Sequence, residues 1–182
     1  MYDPQFLSQD DSAKLLTEID RENWTPIANH DGARRVQQYG AHYNHKAAVV
    51  EKVQQNPWPT WCTELGNLVV CSGHLHVTPE QAIINEYLPG QGIASHIDHP
   101  DGFGPIVVSI TLGSGVTLDL SNADSGAKWH LYLEVGSLVV LSGASRFEWK
   151  HGIAKRDFDI VNNCKVPRDR RVSVTFRTLS SP

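Results

Sequence analysis

His96, Asp98 and His151 are the residues of this chain best suited to chemistry. Two histidines and one carboxylate are the ligand set of a facial triad, which binds non-haem Fe(II) and leaves coordination positions open. His96 and Asp98 are two apart, so on a strand they point the same way, as two adjacent metal ligands must. In a chain with nine histidines such a spacing also arises by chance, so the surroundings carry the reading. Asn85 and Tyr87 share a face of a strand-like run just before the pair. Near the end of the chain, Arg171, Ser173, Thr175 and Arg177 share one face of a strand, and Val172, Val174 and Phe176 form the other, core-like face. Two arginines opposite a core face are costly unless an anion meets them, and a guanidinium fork matches a carboxylate. The alternative is an edge strand with solvated arginines. Taken together, these pieces describe a site for iron, a dicarboxylate co-substrate and oxygen.

The elements that must position them change character along the chain. Asp11-Ser12 is expected to cap a short helix whose apolar face is Ala13, Leu15, Leu16 and Ile19. A second helix is expected over Ala47–Val53, and a third from near Thr60 to about Val70, after the stop at Pro57-Trp58-Pro59. From Gln81 onward, short apolar runs are broken by Pro and Gly, predicting strands near 81–87, 92–98, 106–112, 115–120, 128–134, 137–141, 145–149 and 171–178. Segment 154–168 reads as a polar loop near the mouth of the site. Many short strands with closely spaced turns suggest a barrel or jelly roll.

At 182 residues, with 40% apolar and 20% charged residues, the chain fits one globular domain over 1–182, with about 1–80 as a helical part and 81–182 as the β core. No apolar run approaches the roughly 20 residues of a membrane helix, and Met1-Tyr2-Asp3-Pro4 does not open a signal peptide, so no membrane partner is expected. Cys62, Cys71 and Cys164 are odd in number and scattered, which suits a reducing cytoplasm and argues against a disulfide framework. A monomer is expected. Net charge is −4 but uneven: residues 146–182 hold nine Lys/Arg against four Asp/Glu, while residues 1–145 hold seven against sixteen. The basic end could meet phosphates; a solvated surface is the plainer explanation of charge alone.

The stretch Ile84-Asn85-Glu86-Tyr87-Leu88-Pro89-Gly90 through His96-Ile97-Asp98 resembles the AlkB family of Fe(II)/2-oxoglutarate dioxygenases. So do Pro105–Gly113, Gly136–Gly143 with Ser145-Arg146, His151-Gly152-Ile153 and the Arg171–Arg177 strand, with a weaker echo in Arg34–Gly40. Gly90-Gln91-Gly92-Ile93 and Arg146–His151 are most similar to the branch that hydroxylates modified wobble uridines in transfer RNA. The resemblance implies a double-stranded β-helix, mainly β with flanking N-terminal helices and a nucleotide-recognition lid. It implies that His96, Asp98 and His151 bind Fe(II), that Arg171 pairs with the distal carboxylate of 2-oxoglutarate, and that Asn85, Tyr87 and Arg177 hold or flank that co-substrate. O2 would be the third cofactor, and the reaction would leave succinate and a hydroxylated carbon. An N-methyl carbon would then depart as formaldehyde; a side-chain carbon would keep its hydroxyl.

The partner implied is nucleic acid, single-stranded DNA or RNA including transfer RNA; a protein or small-molecule substrate, or a non-catalytic β-helix binding module, are the other readings. An aromatic in the N-terminal part would stack on the flipped base, with Tyr39 and Tyr43 favoured over Trp24 and Trp58, and Arg34-Arg35 either near phosphates or a solvated pair. His74-Leu-His76 reads as loop histidines, and His99 as pointing away from the triad. In DNA-repair members an acidic residue follows the metal aspartate by two positions; here that position is Pro100, which sets this chain apart from them.

Overall fold

The strand periodicity of the second half builds two sheets that face each other. The computed structural model describes residues 1–28, 30, 32–44, 49–51 and 57–180. In chain order its elements are β1 (Tyr2–Asp3), α1 (Gln9–Asp20), β2 (Thr25–Pro26), β3 (Arg35–Gly40), β4 (His42–Asn44), β5 (Val49–Glu51), α2 (Thr60–Cys71) and β6 (Gln81–Tyr87). There follow β7 (Ile93–His96), β8 (Phe103–Leu112), β9 (Val116–Asn122), β10 (Lys128–Leu133), β11 (Leu138–Ser142), α3 (Ala144–Phe147), β12 (Trp149–Ile153), β13 (Phe158–Val161), β14 (Cys164–Pro167) and β15 (Arg171–Leu179). The large sheet runs β1-β11-β8-β15-β6-β3-β2 and the small one β10-β9-β12-β7, and every pairing is antiparallel. This is a double-stranded β-helix.

Alternation along the strands sorts residues into two cores. Val108, Ile110, Leu138, Val140, Val172, Val174 and Phe176 face α1 and α2 and pack with Ile19, Trp61, Leu65 and Val69. Their neighbours Val107, Val139 and Leu141 face the other way, into the space between the sheets, with Leu118, Leu133 and Ile153. Each such buried side chain contributes about 1.5–3 kcal/mol. Phe176 has no exposed surface, and truncating it to Ala would cost about 3–5 kcal/mol.

Several expectations need correction. The cap of α1 is Ser8, whose Oγ accepts the Asp11 N–H at 3.1 Å, so the helix begins before Asp11-Ser12 and Ser12 is buried inside it. Residues Val49–Glu51 of the expected second helix form β5, paired with β4; the other residues of Ala47–Val53 lie outside the described residues. β-branched Val49 and Val50 favour that extended pairing. The expected strand at 145–149 is the single turn α3 followed by β12, since Gly143 turns the chain at φ 53°. Segment 154–168 is not an open loop. It folds as the β13–β14 hairpin, turned by Asn162 and Asn163 at positive φ and tied down by Arg168, which donates twice to Asp159. All three cysteines are free, Cys62 in the core. Among the described residues no helix is long and apolar enough to cross a membrane.

Candidate active site

β7 and β12 bring the two histidines together. The strands pair antiparallel with His151 directly opposite His96. Their close approach needs Gly92 and Gly152, where a Cβ would collide with the Ile153 carbonyl and with Ser95 respectively. The ring centroids of His96 and His151 are 4.4 Å apart. β7 ends at His96, so Asp98 reaches the site from the turn that follows rather than from the same strand, and its Oδ1 lies 3.6 Å from His96 Nε2. One ligand atom from each of His96, Asp98 and His151 lies within 4.8 Å of the others, close enough to surround one cation.

Burial and neighbouring charges set the protonation of the three. His96 Nδ1 donates to the Ala94 carbonyl at 2.9 Å, which turns Nε2 toward Asp98, and the hydrogen bond to that carboxylate raises the His96 pKa, so a cation competes with a proton for Nε2. Burial lowers the pKa of His151 to about 4, so it is neutral. Burial alone would push Asp98 up; the Arg177 guanidinium, helped by the two histidines, holds it well below the usual carboxylate range. Arg177 grips that carboxylate with Nε to Oδ2 at 3.1 Å and Nη2 to Oδ1 at 3.0 Å, and donates to Gln81 Oε1 at 2.9 Å. Arg177 thus lines the inner chamber while its guanidinium is paired with Asp98.

Two chambers meet at this cluster. The inner one, between the sheets, has a volume of about 80 Å³ and is lined by Tyr87, Arg171, Ser173, Thr175 and apolar groups such as Leu133. It holds roughly six water-sized groups, the scale of a small carboxylate-bearing molecule. The outer one, about 530 Å³, is walled by Ile27, Arg34, Val36, Ile97, His99 and Phe103. Asn85, Ile93, His96, Asp98 and Arg177 line both.

Arg171 brings a buried positive charge to the inner chamber. It is 4% exposed, its Nη2 donates to Thr111 Oγ1 at 3.0 Å, and its guanidinium lies over the Tyr87 ring. Burial pushes its pKa down to about 10. Its Nε is buried without a hydrogen-bond partner. A buried cation with an unmet donor is expensive until a carboxylate arrives. The donor set and this unmet N–H thus fit a divalent cation beside a carboxylate ligand.

The remaining candidates fall elsewhere. Val36 pairs with Asn85, so Arg34 and Val36 face the site while Arg35, Gln37 and Tyr39 face the helices. Tyr39 is 6% exposed, donates to Gln37 Oε1 and packs edge-on against Trp61. It belongs to the core rather than to the outer chamber. Arg35 is bound at 2.6 Å by both oxygens of Glu86, on the helix side of the sheet. Tyr43 lies in β4, and its side chain is outside the described residues. Two arginines carry more than sequence reasoning assigned them. Arg34 donates to Asn85 Oδ1 at 3.0 Å and lies over the Tyr87 ring, covering both residues from the outer side. Strand parity with Val36 was the signal that could have separated it from Arg35. Arg146 is almost wholly buried behind Asp98. His74 lies by Phe6 and Asp3, away from the triad.

Comparison with known proteins decides the family. The model of the 2OG-Fe(II) oxygenase superfamily matches residues 2–177. A mouse (Mus musculus) protein, tRNA (carboxymethyluridine(34)-5-O)-methyltransferase ALKBH8, is 31% identical over 86% of this chain. The chain belongs to the AlkB family of 2OG-Fe(II) oxygenases. This AlkB-family chain spans 24% of the mouse protein's length. It is also 31% identical to uncharacterized protein L905 of Acanthamoeba polyphaga mimivirus, over 96% of this chain and 81% of that one. The solved structure of OsALKBH1 shares the fold, with a TM-score of 0.73 at 16% identity over 97% of this chain and 95% of that chain. As an Fe(II)/2-oxoglutarate-dependent dioxygenase, the enzyme uses Fe(II), 2-oxoglutarate and O2.

Proposed function

We propose that this dioxygenase oxidises an alkyl group on a nucleobase of single-stranded DNA or RNA, and that an N-methyl group so oxidised leaves as formaldehyde. The observation that carries the reading is the meeting of the two chambers at His96 and Asp98, with His151 lining the inner one. A single set of ligands is then reached by a carboxylate from one side and by a base-sized group from the other. The outer chamber lies within the range of small-ligand sites, and its walls combine isoleucines and Phe103 with the polar Arg34, Asn85 and His99. That mixture suits a flipped base, which needs apolar faces and a few edge contacts.

In this reading His96 Nε2, Asp98 and His151 hold the cation. Arg177 keeps the Asp98 carboxylate ionised and aimed. Arg171 receives the distal carboxylate of 2-oxoglutarate through its unmet Nε, with Tyr87 beneath it. Val107, Leu118 and Leu133 keep water from that chamber. When bound, iron and 2-oxoglutarate supply the oxidation itself, in which O2 is consumed, succinate and CO2 leave, and a C–H bond becomes C–OH. Arg34, held against Asn85, borders the entering base and is placed to contact an acceptor on it.

A second reading, stable hydroxylation of a modified transfer-RNA base, is favoured by the likeness to the mouse protein named for carboxymethyluridine and by Pro100 at the position where repair members carry an acid. One experiment separates them. Iron-loaded protein is given 2-oxoglutarate, O2 and either N-methylated oligonucleotides or bulk transfer RNA. Formaldehyde matched to loss of methyl mass supports demethylation. A transfer-RNA nucleoside heavier by one oxygen, without formaldehyde, supports hydroxylation. Succinate release unchanged by either nucleic acid overturns both and points to a protein or small molecule.

A further inference from the structure

Arg146 is among the largest fully buried side chains, 2% exposed, and none of the carboxylates of the described residues forms an ion pair with it. Instead it spends its donors on backbone carbonyls of one turn. Nη1 reaches Asp98 O at 2.9 Å, Nη2 reaches His99 O at 3.2 Å and Phe103 O at 3.3 Å, and Nε reaches Gly104 O at 3.3 Å. A buried guanidinium whose hydrogen bonds go to neutral carbonyls, with the Phe147 ring 4.9 Å from it, is an expensive way to tie down a turn. Five donors in a rigid plane are also the one side-chain arrangement able to hold several carbonyls at once.

The placement of both ends gives the bond its meaning. The turn held is the one that carries Asp98 away from β7 and forms the Ile97–His99–Phe103 wall of the outer chamber. The side chain that holds it belongs to α3, which leads directly into β12 and His151. One guanidinium therefore links the backbone of one triad residue to the segment that presents another. Asp98 needs such a brace, because it lies beyond the last paired residue of β7 and has no strand ladder to fix its backbone.

We propose that Arg146 is a positioning residue that sets the backbone of Asp98, and with it both the metal-binding geometry of the triad and the shape of the outer wall. The proposal rests on the reading that His96, Asp98 and His151 bind the cation.

The test compares Arg146→Met, which keeps volume but no donors, and Arg146→Lys, which keeps the charge but cannot span four carbonyls, with wild type and Asp98→Ala. Three quantities are read on each folded protein: Fe(II) affinity by anaerobic titration, the visible absorption of the iron–2-oxoglutarate complex, and the rate of limited proteolysis within residues 97–104. Loss of groups that orient metal ligands typically costs ten- to a hundredfold in affinity. Arg146→Met is expected to weaken Fe(II) binding by about that much, shift the absorption band and speed cleavage of the turn, with Arg146→Lys between it and wild type. If Arg146→Met does not fold, Arg146→Lys alone carries the test, with the same direction expected. Variants that bind Fe(II) as wild type does, with unchanged absorption and cleavage, would overturn the proposal and leave Arg146 a packing residue. Failure of the triad reading looks different: Asp98→Ala would then bind Fe(II) as tightly as wild type.

Discussion

Arg177 and Asp98, on opposite walls of the barrel mouth, form a two-bond ion pair in which guanidinium Nε and Nη2 each meet a different carboxylate oxygen at 3.1 and 3.0 Å. Their side chains are 11% and 7% exposed, so the pair is shielded from water. Breaking such a pair by removing one partner costs about 3–5 kcal/mol, because the other charge is left buried alone. Arg177→Met is therefore expected to lower the melting temperature of the metal-free protein. A divalent cation would then replace the lost positive charge beside Asp98. The melting temperature should rise more on adding Fe(II) or Co(II) to Arg177→Met than to wild type, as read by anaerobic thermal scans.

Arg171 separates function from stability. Its guanidinium is buried, with one bond to Thr111 and one unmet N–H. Replacing a buried charge by an apolar side chain of similar volume is often neutral or stabilising. Arg171→Met should keep or raise the melting temperature while the 2-oxoglutarate requirement rises by about two orders of magnitude, the scale of losing one partner of a buried charge pair. Steady-state succinate release at varied 2-oxoglutarate, beside a thermal scan, checks both halves.

Tyr39 is a core residue whose hydroxyl is satisfied inside the protein. Tyr39→Phe is expected to cost about 1 kcal/mol of stability, the net value of a typical hydrogen bond, and to leave turnover of a nucleic-acid substrate at wild-type rate. A denaturant titration and an activity assay decide it, and a large fall in turnover with unchanged stability would return Tyr39 to substrate binding.

The helix side of the large sheet is tied by a charged chain. Glu86 accepts from Arg35 and Arg170, and Arg170 reaches on to both oxygens of Asp20. Burial pushes the Glu86 carboxyl up, but the two arginines outweigh it and hold it below its ordinary value. The hydrogen bond from Arg170 likewise lowers Asp20. Carboxylates lowered in the folded state add stability that is present above their unfolded pKa, near 4, and lost as pH falls through the folded values. Stability should therefore drop below about pH 4, and Glu86→Gln should flatten that acid limb in urea titrations taken from pH 6 down to pH 3.

Much of the site was legible because strand parity is exact. Arg171, Ser173, Thr175 and Arg177 face the chambers, and Val172, Val174 and Phe176 face the helices, as alternation requires. Parity misled only where the strand stopped short: Asp98 converges with His96 from a turn. Tyr39 reads as a base-stacking candidate because it lies in the N-terminal part, where the resemblance implies a lid, whereas the pairing of Val36 with Asn85 fixes its face and is invisible in one sequence. Arg146 was hidden for a related reason. Its partners are backbone carbonyls, which leave no residue type to read. The Asp98 partnership of Arg177 joins residues 79 apart in sequence, so no local pattern announces it.

The most direct measurement is an anaerobic titration of Fe(II) and then 2-oxoglutarate into wild type, Asp98→Ala and Arg171→Met, followed by the visible absorption of the complex and by equilibrium dialysis. The expected result is one iron and one 2-oxoglutarate per wild-type chain, no iron in Asp98→Ala, and iron with 2-oxoglutarate binding weakened about a hundredfold in Arg171→Met. Full absorption in Asp98→Ala, or undiminished 2-oxoglutarate binding in Arg171→Met, would contradict a site in which the triad holds the metal and the inner arginine holds the co-substrate.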